Sequence, residues 1–159
     1  MIQIRFLGPG RALVFAGVAA IVSLGSSSCT LDLPSDVDRA ILLEGPLMAL
    51  TDEHPLTGSA AAVTQFGNTD VSIGAEGLEP EQTYGWFVRS GTCDGEGTIF
   101  GFPAAYQDME AGEDGDVSAV IRNMDAELRR GRRYSAHLID GGGHDGPRLA
   151  CADLEEQEV

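Results

Sequence analysis

Apolar and polar residues alternate with a period of two in several short stretches. Within 84–89, Tyr84, Trp86 and Val88 share one face, and Phe87 and Arg89 share the other. Val71 and Ile73 repeat the pattern in 69–75, Val117, Ala119 and Ile121 in 117–123, and Tyr134, Ala136 and Leu138 in 134–139. Such alternation predicts half-buried strands. The run 59–66 is small and tolerant of β structure. Gly67-Asn68 follows it as a turn signal, so 59–75 reads as a hairpin. Residues 39–50 are apolar around Glu44-Gly45-Pro46. Proline there argues against one continuous helix, and an edge strand with a break or a short helix both fit. A short helical turn fits 124–130, a short last strand fits 148–152, and the acidic end at 155–158 reads as a frayed tail. The stretch 90–115 is a long glycine-rich loop. Loops of that length in compact domains are functional or specially tied down. Short strands, Gly/Pro turns and little helical periodicity predict an all-β sandwich or barrel.

The first residues follow a different pattern. Arg5 and Arg11 precede an apolar run at 12–24, and small residues fill 25–28, the three-part order of an export signal. The run is shorter than the roughly 18 to 20 residues that span a bilayer. Residues 1–28 therefore read as a signal or as an uncleaved anchor. Gly25-Ser26-Ser27-Ser28-Cys29 resembles a bacterial lipoprotein signal, in which the cysteine becomes the lipidated first residue. The departure is Ser26, standing where such signals usually carry leucine. Lipidation of Cys29 accounts for the odd one among three cysteines and leaves Cys93 and Cys151. Residues 29–38, with Pro34 and three aspartates, read as a tether, and 39–159 as the β domain. The address these features give is the periplasmic face of a bacterial membrane.

Charge narrows the partners. The chain carries 25 Asp and Glu against 10 basic residues, all of them arginine. With Arg5 and Arg11 in the leader, eight remain against 25, a net of −17 with histidine neutral. Such a surface repels phosphate backbones, which excludes nucleic acid as a partner class. Against that background Arg129-Arg130-Gly131-Arg132-Arg133 is the one basic cluster. It reads either as a dock for anionic headgroups or an acidic partner, or as a solvated turn neutralised by its surroundings. Glu113-Asp114-Gly115-Asp116 lacks the ligand spacing of a calcium loop. His144 with Asp140 and Asp145 sits in a glycine-rich loop that reads as solvated rather than as a rigid metal site. The chain has no phosphate-cradling glycine motif, serine nucleophile elbow or repeat.

From about residue 56 to 154 the chain resembles the copper/zinc superoxide dismutases, most closely an exported bacterial branch of superoxide-dismutase-like proteins. The marks are Gly77-Leu78-x-Pro80, the aromatic strand 84–89 with Gly91-Thr92-Cys93, Asp114-Gly115-Asp116 before a strand, Gly131-x-x-Tyr134, and Leu149-Ala150-Cys151-Ala152-Asp153-Leu154. The resemblance implies a Greek-key β-sandwich or barrel. It also implies a disulfide between Cys93 and Cys151. The positions of three copper-binding histidines fall on Phe87, Arg89 and Ile139. Phenylalanine has no donor atom and guanidinium is a cation, so neither binds copper. His137 lies on the same face as Ile139, but one histidine makes no copper site. No cofactor is expected. The function implied is a non-catalytic accessory subunit of an envelope or membrane protein complex. A small-ligand or metal-binding module in the long loop is the alternative, and residual superoxide dismutation ranks last. If the former metal wall faces outward, Phe87, Arg89, His137 and Ile139, with Arg129, Arg130, Arg132 and Arg133, form the partner surface. The competing expectation is that the loop 90–115 folds over the wall and makes it a satellite core.

Overall fold

The computed structural model describes residues 40–51 and 55–157; the expected signal at 1–28, Cys29, the tether at 29–38 and His54 lie outside them. The alternating stretches form strands: β1 (Ile41–Pro46), β2 (Met48–Ala49), β3 (Thr57–Gln65), β4 (Asn68–Glu76), β5 (Thr83–Ser90), β6 (Met109–Glu110), β7 (Val117–Met124), β8 (Tyr134–Asp140) and β9 (Arg148–Glu156). A single 3₁₀ turn among the described residues, Pro103–Ala105, interrupts the long loop. The strands pair in the order β6-β5-β8-β9-β1-β3-β4-β7, with β2 added beside β9. Every pairing between these strands is antiparallel. β6 approaches β7, so the sheet curls into a nearly closed Greek-key barrel.

The predicted hairpin is β3–β4, in register from Thr57↔Glu76 to Gln65↔Asn68. Phe66 and Gly67 at its tip both have positive φ, the geometry whose twist matches the strands it joins. Tyr84, Trp86 and Val88 enter the core, and Trp86 lies opposite Leu138 and Val88 opposite Ala136 in the β5–β8 register. Ala60, Ala62, Val71 and Ile73 supply the opposing wall. The buried Trp86 donates its Nε1–H to the Gln107 carbonyl at 3.1 Å, which anchors the end of the long loop.

Three local expectations are corrected. β1 is no edge strand: it lies between β9 and β3 and joins the two halves of the barrel. Pro46 closes it, and the buried Leu47 separates it from β2. The stretch 124–130 forms no helical turn. Leu128 plugs the barrel end, its N–H donates to the buried Thr64 hydroxyl at 3.0 Å, and Thr69 donates to the Ala126 carbonyl. These long-range bonds use backbone groups that a helix would have needed. The last strand also runs on into the acidic residues. Glu155 and Glu156 pair with Glu44 and Leu43, so the tail is ordered at least to there.

Candidate functional site

The wall to which the sequence points is the outer face of β5, β8 and β9. Phe87 and Arg89 leave β5 on the side opposite Trp86, and Ser135, His137 and Ile139 leave β8 on the same side. Phe87 lies opposite His137, and His137 opposite Cys151 on β9. This is the alternation expected from the sequence.

The expected open patch is not there. Phe87 is 7 % exposed, His137 0 % and Ile139 1 %, and Arg89 is half-buried. The reading that placed these four residues on an accessible partner surface is therefore corrected in favour of a covered satellite core. Alternation decides which side of a sheet a residue takes, and two loops decide whether that side meets water. The 140–147 loop lies flat on the wall at Gly85. The Gly85 N–H donates to the Gly141 carbonyl at 2.8 Å. A Cβ at Gly85 would meet the Gly143 carbonyl oxygen at 1.8 Å, so only glycine fits there. His144 from this loop forms a T-shaped pair with Phe87, ring centroids 5.7 Å apart, while His137 stacks on Phe87 at 5.1 Å. Edge and stacked contacts of this kind add to what burial alone contributes.

The other cover is the loop after β5. Cys93 and Cys151 are joined by a disulfide that fastens this loop to β9. Arg89 adds a second fastening. Its Nη2 donates to the carbonyls of Thr92 at 3.1 Å and Cys93 at 3.2 Å, and to that of Gly95. Arg148 Nη1 donates to the Cys93 carbonyl at 3.0 Å, and the Cys93 N–H donates to Asp153 Oδ1 at 2.8 Å. Further along, backbone bonds from Ser90 to Thr98 and from Phe100 to Val88 lay the loop along the free edge of β5. The long loop is thus tied down at many points.

The chemistry of this wall does not suit a metal. Phe87 and Ile139 offer no donor, and the Arg89 guanidinium is committed to carbonyl oxygens. No group of three or more His, Cys, Asp or Glu side chains among the described residues is placed to share an ion. His137 keeps its Nε2 2.9 Å from the Ser135 hydroxyl, and its Nδ1 has no partner among the described residues. Burial first, then the charges of Arg89 and Arg148, push its pKa down to about 3. The native imidazole is neutral and the unfolded one titrates near 6.5, so the unfolded chain alone gains a proton as pH falls below that value. Stability should be full above pH 6.5 and decline toward pH 3, by about 3 kcal/mol at pH 4. Denaturant unfolding of the wild type and His137→Gln across pH 4–7 measures this. The variant should lose that part of the slope, and parallel curves would contradict the assignment.

The arginine cluster lies elsewhere, in the turn between β7 and β8, at the end of the barrel rather than on the wall. Arg129, Arg130, Arg132 and Arg133 are all exposed, and Arg130 forms an ion pair with Glu156. Arg129, Arg132 and Arg133 border a groove of about 410 Å³ that Asp153 and Glu155 also line. Another groove, of about 820 Å³, runs along β1, β3 and β9. Its lining includes the disulfide, Glu44, Asp153 and the exposed apolar residues Met48 and Leu50. Gly85 and Arg148 were not singled out in the sequence. Gly85 shares the Phe87 face by simple alternation, a signal that was present. The role of Arg148 depends on the fold of the disulfide loop and had none.

No family model matches the chain, and no curated protein matches it either.

Proposed function

We propose that the protein is a non-catalytic, exported and membrane-tethered domain of superoxide-dismutase-like type, serving as an accessory subunit of an envelope or membrane protein complex. The observation that supports this is the filled wall. Where the resemblance places copper ligands, Phe87 packs against two imidazoles, Arg89 binds loop carbonyls and Ile139 is buried. What the domain leaves exposed are surfaces for contact: the groove edged by Met48 and Leu50, and the arginine turn. Membrane tethering rests on the leader and Cys29 in the sequence.

Extraction of the native protein in mild detergent, followed by sizing, tests the assembly. The chain should run well above its own 16.7 kDa together with a fixed ratio of another membrane or envelope protein. A lone chain in detergents that preserve other envelope complexes would sink the accessory role.

A further inference from the structure

We propose that the Cys93–Cys151 disulfide is a thiol-exchange site: a thiolate entering by the groove along β1, β3 and β9 attacks Cys93 Sγ, and Cys151 leaves onto the N–H of His137. This goes beyond the accessory reading and does not depend on it. The surroundings of the bond differ on its two sides. Outward, Cys93 and Cys151 both line the open groove of about 820 Å³, and Cys93 is half-buried while Cys151 is only 2 % exposed. Cys93 is therefore the sulfur that an incoming group reaches first. Inward, the fully buried His137 holds its Nε2 3.6 Å from Cys151 Sγ and 2.9 Å from the Ser135 hydroxyl. Its Nδ1 has no partner among the described residues. The tautomer that strands no buried donor carries the proton on Nε2, between those two acceptors.

Burial in apolar surroundings raises a thiol's pKa, and a sulfur of higher pKa leaves more slowly. The His137 N–H offsets this at Cys151, the sulfur that must leave when Cys93 is attacked. Charge alone sets no direction. Glu44, Asp153 and Glu155 line the approach with no basic residue beside them, while Arg89 and Arg148 meet at the Cys93 carbonyl. Direction comes from access outside and a donor inside. With a dithiol as the reductant, its first thiolate bonds to Cys93 as the Cys93–Cys151 bond breaks. Its second thiolate then attacks the mixed disulfide at the reductant's own sulfur and frees Cys93. Two electrons and two protons pass to Cys93 and Cys151, and the reductant departs as a disulfide. Arg89 and Arg148 keep the loop beside β9 after the bond opens, so the two thiols stay placed to close it again.

The test uses the full, folded, oxidised chain and uncharged thiols, which the acidic groove lining leaves free to enter. Brief treatment with 2-mercaptoethanol, an acid quench and alkylation after unfolding trap the mixed disulfide. Peptide mapping should place mercaptoethanol on Cys93 and the alkyl group on Cys151, each read apart from Cys29. The reverse placement or an even split overturns the proposal. So does a disulfide that resists the thiol until the chain unfolds. Under dithiothreitol, well below the melting temperature, His137→Leu should slow reduction about tenfold, through loss of a hydrogen bond to a developing charge. His137→Gln, which keeps an N–H, should recover most of the rate. A merely structural His137 would act the other way, because loosening the wall exposes the bond and speeds its reduction. Equal or faster reduction in His137→Leu therefore overturns the donor role. Should His137→Leu fail to fold, the peptide map of the unaltered chain still decides.

Discussion

Phe87→Ala should destabilise the folded domain by about 3 to 5 kcal/mol. For a domain of this size that lowers the melting temperature on the order of 10 °C or more. The ring is buried against His137 and His144, and its removal leaves a hole that its neighbours cannot easily fill. On one side is the β5–β8 register, on another the 140–147 loop held flat at Gly85, and nearby the disulfide loop. Thermal or denaturant unfolding under oxidising conditions measures the loss. A cost below about 1 kcal/mol, the range of a surface substitution, would mean that the loops do not cover the wall. The outward partner surface expected from alternation would then return.

The second large effect concerns the Cys93–Cys151 bond. It closes an interval of 58 residues, and constraining an unfolded chain by a loop of that size stabilises by about 4 kcal/mol in the chain-entropy model. Reduced protein should melt at a correspondingly lower temperature. The cover over the wall should nevertheless persist at low temperature, because Arg89 and Arg148 still hold the Cys93 carbonyl. A melting temperature unchanged by reductant, with both thiols alkylated as proof of reduction, would contradict this. Low-temperature reduction that exposed the 91–108 loop to protease at once would show that the arginine fastenings are too weak to matter.

The fold was legible because alternation survived in the sequence. Tyr84, Trp86 and Val88, and Tyr134, Ala136 and Leu138, entered the core as their spacing required. The β3–β4 hairpin was announced by Gly67-Asn68, although the turn itself falls one residue earlier, on Phe66-Gly67, and Asn68 opens β4. Less legible were the places where long-range partners overrule local pattern. β1 looked like an edge because composition does not reveal that β9 returns to its other side. The segment after β7 looked helical because nothing local shows that Thr64 and Thr69 would take its backbone groups. At the candidate site, the faces of Phe87, Arg89, His137 and Ile139 were legible and their burial was not. Burial there depends on Gly85 admitting the Gly143 backbone, and on Arg89 and Arg148 gathering the carbonyls of a loop. Neither follows from period or composition.

The claim to test is that the outer wall of β5, β8 and β9 is a packed core rather than the metal centre that the resemblance would place there. Incubating the oxidised, folded chain with copper and zinc, removing loose metal by dialysis and counting metal per chain tests it most directly. The account predicts well under one copper per chain and no superoxide dismutation above the free-copper background. One retained copper per chain, with dismutation that disappears in His137→Leu, would contradict it.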